Sequence, residues 1–295
     1  IVMPGEEGVV PGVVEKIECV EYIRIDVRKT IDFEFQPTEK DIIFNLAAVH
    51  RTPGHPDHAY FETNILGAEN VTKFAEKYGI NKILFTSSIA PYGAAEELKT
   101  EDTLPTPNTP YGISKLVAEK IHQIWQAKDK NRELTIVRPG IVYGKGEHGN
   151  MTRLYKALRG HYFMYTGRKD TIKACIYVKE LVRFIKYRML DNDFKGVDVF
   201  NCTYEPAFNI ERICNTILKA TDMHRHVPLL PAGLLMSIAK VVGPLGGKKV
   251  GIHPARVKKL MISGKKLQTC GYKFHYTFED TYKDWFADCD RKGLF

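Results

Sequence analysis

Apolar runs and amphipathic segments alternate along the first half of the chain. Strands are predicted at four apolar stretches: residues 20–25, 41–49, 82–87 and 134–137. Residues 41–49 (DIIFNLAAV) and 82–87 are almost continuously apolar, which is typical of parallel strands that are buried on both faces. Two longer amphipathic segments predict helices: Asp57–Tyr78 and residues 110–130. Strands that alternate with long helices predict an α/β protein with right-handed βαβ units and a doubly wound parallel sheet.

The second half of the chain has a looser pattern. Helices are predicted at residues 150–159, 178–190, 209–219 and 278–289, and a strand at residues 197–202. No repeat or low-complexity linker separates the two halves of the sequence. We therefore expect a second, smaller lobe that packs on the first domain and is built partly from chain that crosses back to it.

The candidate chemistry lies where one strand ends and the next long helix begins. Ser87 and Ser88 follow an apolar strand, and Tyr111 and Lys115 stand in the first turns of a helix that Pro110 opens. Residues i and i+4 share a helix face, so the phenol and the ammonium point the same way. Two other tyrosine–lysine pairs have this spacing by chance, Tyr78/Lys82 and Tyr165/Lys169. A serine, tyrosine and lysine in this order are the working groups of a nicotinamide-dependent oxidoreductase or epimerase.

Composition and charge set broad limits. The chain has 295 residues, of which 44% are hydrophobic and 26% charged, as in ordinary globular proteins. The net charge of +8 is concentrated late, in basic residues between 248 and 266, which fit a solvated face, an anionic-substrate rim or a membrane-surface patch. No aromatic platform or helix-turn-helix signal accompanies them, so we expect no nucleic-acid partner.

A leucine- and valine-rich segment lies at residues 227–245. Three prolines and Lys240 interrupt it, so its apolar run is shorter than the roughly 20 residues that span a bilayer. It predicts a buried or lobe-capping helix and no transmembrane segment, with peripheral membrane contact as the alternative. The six cysteines form no Cys-x-x-Cys pair and no secretory signal is visible, which favours the reducing cytoplasm. No Cys/His ligand spacing appears, so no metal site is expected.

Four motifs carry a family resemblance: Asn45-Leu-Ala-Ala48, Phe85 to Gly93 (FTSSIAPYG), Tyr111 to Lys115 (YGISK) and Arg138 to Gly144 (RPGIVYG). Together they resemble the extended short-chain dehydrogenase/reductase superfamily, in its NAD-dependent sugar-nucleotide epimerase/dehydratase branch. The resemblance covers nearly the whole chain and implies a Rossmann-like sheet with a smaller C-terminal lobe. It implies an NAD-binding domain at residues 1–145 and a mainly substrate-binding lobe at residues 146–295.

The resemblance also implies roles for individual residues. Ser88, Tyr111 and Lys115 match the catalytic serine, tyrosine and lysine. The implied contacts to the cofactor, which is NAD with NADP as the alternative, are Asp26, Val27, Leu46, Ala47, Ala48, Asn64, Ser87, Tyr111, Lys115 and Pro139. The implied substrate contacts are Ser88 and Asn150. Two of these residues have a purely structural alternative, since Asp26 fits a strand cap and Asn64 a hydrogen-bonded helix asparagine.

The chain departs from the family pattern at its front. The family opens with a strand, a Gly-x-x-Gly-x-x-Gly loop and a helix, whose backbone N–H groups face the pyrophosphate. Residues 1–15 contain glycines and prolines without a following helix, so we expect the tail of a second strand and a surface loop. Roughly 35 to 45 residues, forming the first βαβ unit, are then missing before residue 1. The alternative is a true fragment that does not bind the dinucleotide normally.

The groups of the site predict the reaction chemistry. The Lys115 ammonium favours the Tyr111 phenolate by charge, and so lowers a pKa that is ordinarily about 10. The phenolate can then accept a hydroxyl proton from the substrate. Ser88 hydrogen-bonds the same oxygen as it becomes a ketone.

Two departures narrow the choice of reaction. Ile89 and Ala90 stand where dehydratases of the family carry an acid/base pair, which disfavours loss of water, and Ile141 stands where many epimerases carry asparagine. We expect an NAD-dependent epimerase of a nucleotide-activated sugar, acting through a transient ketone in surface polysaccharide or nucleotide-sugar metabolism, as a homodimer. One alternative is an NAD(P)-dependent dehydrogenase or reductase of a sterol-like or other hydrophobic alcohol. The other is a catalytically silent NAD(P)-binding scaffold.

Overall fold

The computed structural model describes residues 16–50, 54–93, 96–192, 194–231 and 261–294. The chain forms two compact units. The first unit contains residues 1–93, 101–139 and 183–202, and the second contains residues 94–100, 140–182 and 203–295. The chain therefore returns to the first unit after it has entered the second. The division of roles between a cofactor domain and a substrate lobe stays a prediction.

Short strands and longer helices make up the described residues. The strands are β1 (Ile42–Asn45), β2 (Lys82–Thr86), β3 (Glu133–Pro139), β4 (Ile141–Tyr143), β5 (Tyr165–Thr166), β6 (Ile172–Lys173), β7 (Cys175–Tyr177), β8 (Gly196–Cys202), β9 (Phe208–Asn209) and β10 (Leu229–Leu230). The helices are α1 (Asp57–Tyr78), α2 (Pro110–Ala127), α3 (Asn150–Arg159), α4 (Val178–Met189), α5 (Ile210–Ala220), α6 (Lys265–Thr269) and α7 (Phe278–Asp288). A short 3-10 helix, Ala90–Tyr92, follows β2.

A parallel sheet with the strand order β1-β2-β3-β8 forms the centre of the first unit. Ile83 of β2 pairs with Ile43 on one side and with Leu134 on the other, and Leu134 pairs in turn with Val197. Because every pairing is parallel, the carboxyl ends of all four strands lie at one edge of the sheet. In open α/β sheets, ligands bind at that edge.

The predicted burial of the strands holds for β2 and not for β1. Ile83 and Leu84 of β2 are buried, whereas Phe44 of β1 is 41% exposed. β1 is the end strand of the described sheet and stops at Asn45, short of the predicted end at residue 49. The strand predicted at residues 20–25 is wrong, because this segment forms no strand pairing with any described residue.

Local signals explain where the two long helices of the first unit begin and end. α1 ends at Gly79, whose φ of +67° is a left-handed conformation that glycine adopts readily. α2 begins after Thr109, whose side chain accepts a hydrogen bond from the Gly112 N–H, and Pro110 occupies its first position. Apolar side chains of both helices and the sheet form the core of this unit: Ile31, Ala68, Val71, Phe74, Ala75, Ile80, Ile83, Phe85, Ala118, Trp125, Leu134 and Ile136.

The second unit is held by an aromatic core. Tyr143 stacks on Tyr282 with a centroid separation of 4.9 Å, and Trp285 lies beside them. The helices predicted in this half of the chain are present with ends that agree within one residue. Of the apolar segment 227–245, residues 232–245 lie outside the described residues. None of the described helices is long and apolar enough to cross a membrane.

Candidate active site

The two serines lie directly after β2 and are fixed by backbone hydrogen bonds to β3. The Ser87 N–H donates to the Val137 carbonyl at 2.8 Å, and the Ile89 N–H donates to the Pro139 carbonyl at 3.2 Å. The Ser88 hydroxyl oxygen accepts a hydrogen bond from the Ala90 N–H at 3.2 Å. The chain therefore leaves the strand with Ser88 on a short, firmly attached turn at the carboxyl edge of the sheet.

A glycine allows α2 to begin close to this turn. A Cβ atom placed on Gly112 would lie 2.7 Å from the Ala90 carbonyl oxygen, closer than any side chain tolerates. Tyr111, one residue earlier, lies close enough to Ser88 for the serine side chain to affect the pKa of its phenol. The structure thus brings together the serine and the tyrosine that the sequence predicted as partners.

The pKa of Tyr111 is raised above its ordinary value. Burial is the main cause, and the neighbouring Tyr60 adds to it, while the Ser88 side chain acts in the opposite direction. The Tyr60 ring meets the Tyr111 ring edge-on, with centroids 6.1 Å apart. Lys115 is not among the groups that shift this pKa, so the predicted lowering by its ammonium is not seen in this structure.

The position of Lys115 explains this difference. Only 2% of the residue is exposed, and its Nζ donates to the Thr86 carbonyl at 2.7 Å. The ammonium also lies 4.7 Å from the centre of the Phe85 ring. Burial lowers the pKa of Lys115 to about 8, although the charge of Glu119 raises it. Lys115 is therefore a buried cation under β2 that stays mostly protonated at neutral pH.

The loop after β1 carries Leu46, Ala47 and Ala48 to the same sheet edge. The buried amide of Asn64 fixes this loop, since its Oδ1 accepts from the Val49 N–H at 2.9 Å and its Nδ2 donates to the Val49 carbonyl at 3.3 Å. The same Nδ2 donates to the Ser114 hydroxyl at 2.8 Å. Asn64 therefore connects the loop to α2, and its contact with a cofactor stays a prediction.

Asp26 and Val27 have well-defined structural partners. The Asp26 carboxylate accepts hydrogen bonds from the Arg28 guanidinium at 2.9 and 2.7 Å, and this pairing lowers the pKa of Asp26. Val27 is buried against Gly67, and its carbonyl accepts a hydrogen bond from Asn70 at 2.8 Å. Contact of Asp26 and Val27 with the adenine end of a cofactor stays a prediction.

Asn150 and Ile141 belong to the second unit. Asn150 is the exposed first residue of α3, and its Oδ1 accepts a hydrogen bond from Arg153 at 3.0 Å. Ile141 opens β4. Contact of Asn150 with a substrate stays a prediction. No group of three or more side chains suited to a metal ion occurs among the residues that the structure describes.

The carboxyl edge of the sheet fits a nicotinamide dinucleotide. The loop after β1, Ser87 after β2 and Pro139 at the end of β3 lie along this edge. The buried Thr86 hydroxyl has no hydrogen-bond partner among the described residues. Leu46, in the loop after β1, is 62% exposed, so the edge has both an exposed apolar residue and a buried hydroxyl without a described partner. Small side chains, as at Ala47, leave space for a ligand to approach the backbone.

Sequence reasoning missed a buried polar cluster behind these groups. Its members are Glu119, Arg138, Tyr92 and Asn201. Glu119 could have been found from its position, because residues 111, 115 and 119 follow one another at i, i+4 and i+8 on one helix face. Its partner Arg138 lies on another element, and no local spacing indicates that pairing.

Comparisons with known proteins agree with this geometry. The model of the NAD dependent epimerase/dehydratase family matches residues 8–203. The chain therefore belongs to the NAD-dependent epimerase/dehydratase family. It is 32% identical over 246 residues to N-acetyl-alpha-D-glucosaminyl-diphospho-ditrans,octacis-undecaprenol 4-epimerase of Escherichia coli O157:H7, a match that covers 80% of this chain and 74% of that protein.

Two further similarities concern a sequence and a solved structure. The chain is 33% identical over 139 residues to UDP-glucose 4-epimerase of Vibrio cholerae, which covers 44% of this chain and 42% of that relative. The crystal structure of the Bordetella bronchiseptica enzyme WbmG in complex with NAD and UDP has a TM-score of 0.65 and 20% identity, over 85% of this chain and 73% of that chain. The predicted family and the predicted Rossmann-like α/β fold are confirmed.

Proposed function

We propose that this protein catalyses the NAD-dependent epimerisation, at C4, of a sugar activated by a nucleoside diphosphate. The observation that carries the proposal is the close approach of Tyr111 on α2 to the Ser88 turn, with Lys115 one helical turn further on, at the carboxyl edge of a parallel sheet. The names of two similar proteins, both 4-epimerases of diphosphate-linked sugars, support the choice of reaction and of carbon.

Side chains of this protein would transfer the proton in the proposed reaction. NAD, when bound, supplies a hydride acceptor and donor. Tyr111 is placed to accept the proton of the sugar hydroxyl, and Ser88 is placed to hydrogen-bond the same oxygen as it becomes a carbonyl. Lys115 is the buried cation on this face of α2. Its ammonium is bound to the Thr86 carbonyl in this structure, and it would favour the phenolate if binding of the substrate brought it closer to Tyr111. On the return step Tyr111 gives the proton back to the oxygen.

The surroundings of Ser88 support a reaction without loss of water. Ile89 and Ala90 follow the serine and begin the short helix Ala90–Tyr92 with apolar side chains. A carboxylic acid and a carboxylate would be needed there to protonate a leaving hydroxyl and to remove a carbon-bound proton. We therefore expect substrate and product to have the same mass.

We also propose that the protein acts as a homodimer. α1 exposes Leu66, and α2 exposes Ile113, Val117 and Ile124 at i, i+4 and i+11, which places them on one outer stripe. A second copy of this chain would bury that stripe. Light scattering should give twice the monomer mass, and Ile124→Glu should lower it to that of a monomer. A cytoplasmic location stays a prediction from the cysteine pattern.

The test uses the purified protein. UDP-glucose and UDP-N-acetylglucosamine are incubated with it, and NMR identifies the sugar while mass spectrometry follows the mass. We expect the 4-epimer at unchanged mass. Reduced nicotinamide should not accumulate. A product lighter by one water would instead indicate a dehydratase, and reduced nicotinamide formed in proportion to product would indicate a dehydrogenase. A parallel incubation with a polyprenyl-diphosphate sugar distinguishes a lipid carrier from a nucleotide.

A further inference from the structure

Glu119 is a fully buried carboxylate on α2 that the proposed reaction does not use. Its Oε1 accepts hydrogen bonds from the Ser87 hydroxyl at 2.5 Å and from the Arg138 Nε at 2.9 Å. Its Oε2 accepts from the Arg138 Nη2 at 2.6 Å. Arg138 is only 5% exposed, so this is a bidentate ion pair in the interior of the first unit.

The ion pair continues into a network that joins four elements. The Arg138 Nη1 donates to the Tyr92 hydroxyl at 2.7 Å, and that hydroxyl donates to the Asn201 Oδ1 at 2.8 Å. The network therefore connects α2 with β3, with the short helix after Ser88 and with β8. Each of these elements adjoins the carboxyl edge at which the candidate site lies.

Stability alone does not account for a network of this kind. Removing two charges from water costs several kcal/mol per ion, and well-packed apolar side chains often replace a buried ion pair without loss of stability. The positions of the partners indicate another role. Ser87 precedes Ser88 directly, and Lys115 lies one helical turn before Glu119 on the same face of α2.

We propose that Glu119 is a positioning residue of the reaction, which fixes the Ser87–Ser88 turn and keeps the Lys115 ammonium charged. The inference rests on the proposed function for the roles of Ser88 and Lys115. The first effect follows from geometry, because the Ser87 hydroxyl is held at 2.5 Å from the carboxylate. The second follows from charge, since Glu119 opposes the burial that lowers the pKa of Lys115 to about 8.

The other groups around Lys115 do not replace this charge. β2 presents the neutral Thr86 carbonyl and the Phe85 ring to the ammonium. His122, further along α2, has a pKa lowered to about 4 by burial and is neutral under ordinary conditions. Arg138 carries a like charge, which its pairing with Glu119 offsets. If Glu119 lost its charge, the charged side chain of the network that remained near Lys115 would be Arg138, which is a cation like Lys115.

The test is Glu119→Gln, which keeps the shape and removes the charge. An NMR titration of isotope-labelled lysine side chains, with Lys115→Met for assignment, should show the pKa of Lys115 lowered by about one unit. This measurement needs neither substrate nor activity. In turnover, the alkaline limb of the kcat profile should move to lower pH by the same amount, because Lys115 loses its proton earlier. An unchanged Lys115 titration overturns the proposal.

A matched control is Glu180→Gln in the second unit. Glu180 is also fully buried, and it accepts hydrogen bonds from the Tyr272 hydroxyl at 2.5 Å and from the His275 and Tyr276 N–H groups at 2.7 Å each. This control should lose comparable stability and keep the wild-type Lys115 titration and pH profile. Equal shifts in both variants would mean that the effect is general destabilisation, which contradicts a positioning role.

A second variant, Glu119→Asp, keeps the test decisive if Glu119→Gln fails to fold. It retains the charge and shortens the side chain, so the Lys115 titration should remain that of the wild type while kcat falls about tenfold through the displaced Ser87. A wild-type kcat, or a Lys115 pKa that is lowered in this variant, overturns the proposal. If the wild-type protein converts no sugar nucleotide, the proposed function fails, and the titrations still decide whether Glu119 sets the charge of Lys115.

Discussion

Replacement of Tyr111 by phenylalanine separates the chemistry of the site from its packing. Tyr111→Phe keeps the ring, including its edge-on contact with Tyr60 at 6.1 Å, and removes the hydroxyl that lies near Ser88. Loss of even one hydrogen bond costs only about 1 kcal/mol of net stability. Loss of a general base should lower turnover by about 10²- to 10⁴-fold, which corresponds to roughly 3 to 5 kcal/mol in the barrier. The effect on turnover should therefore clearly exceed the effect on folding.

Another tyrosine of the chain provides the matched control. Tyr78 stands four residues before Lys82, as Tyr111 stands before Lys115. Its hydroxyl donates to the Phe33 carbonyl at 2.6 Å, and its ring packs on Phe74. Tyr78→Phe should thus lose a similar amount of stability away from the site, with unchanged kcat.

The assay is kcat for sugar-nucleotide conversion beside thermal unfolding of both variants. A steep loss of turnover in Tyr111→Phe, with melting temperatures that fall equally in both variants, is the expected result. Wild-type turnover in Tyr111→Phe would refute the catalytic assignment. Equal losses of turnover in Tyr111→Phe and Tyr78→Phe would show that stability, and not a proton transfer, limits the assay.

Three further predictions concern the groups around the site. Gly112→Ala places a Cβ 2.7 Å from the Ala90 carbonyl oxygen, so α2 must move away from Ser88 and kcat should fall about tenfold while circular dichroism stays unchanged. Ala48→Leu should weaken NAD binding, measured by calorimetry, at unchanged melting temperature. An unchanged affinity would show that Ala48 does not line the cofactor site. The pKa of Lys115 is about 8 in the folded protein, against an ordinary value of 10.5. Between pH 8 and pH 10.5 the unfolded wild-type chain therefore binds more protons than the folded one, and the stability of the wild type rises with pH. The free energy of unfolding of Lys115→Met relative to the wild type, measured by urea titration, should therefore fall by about 3 kcal/mol from pH 8 to pH 10.5. A difference that does not change with pH would contradict the assignment.

The end of α1 and the start of α2 could be predicted because their causes are local, whereas α2 ends at Ala127, three residues before the predicted end. Gly79 stops α1 through its left-handed backbone, and Thr109 with Pro110 starts α2. These signals lie within a few residues of the helix end and do not depend on the rest of the fold. The closeness of Ser88 to the start of the helix that carries Tyr111 and Lys115 was predictable for the same reason, since strand, turn and helix follow one another directly in the sequence.

Strand content and ion pairing depended on contacts that the sequence pattern does not contain. Residues 20–25 alternate as a strand would, but a strand forms only as part of a sheet ladder, and this segment is not a strand in the structure. The spacing of Lys115 from Tyr111 predicted its helix face but not the acceptor of its ammonium. In the structure that acceptor is the Thr86 carbonyl. The pairing of Glu119 with Arg138 arises only when β3 lies beside α2.

The separate pKa shifts of the site have a consequence for the order of events in the proposed reaction. Burial raises the pKa of Tyr111, and Lys115 does not counteract it from its position under β2. The phenol of the protein alone is thus protonated at neutral pH. A phenolate forms there only when positive charge is added nearby, and the oxidised form of NAD carries such a charge whereas the reduced form does not. The chain therefore provides position through β2, α2 and Glu119, and the oxidised form of NAD, when bound, would supply the positive charge that favours the Tyr111 phenolate.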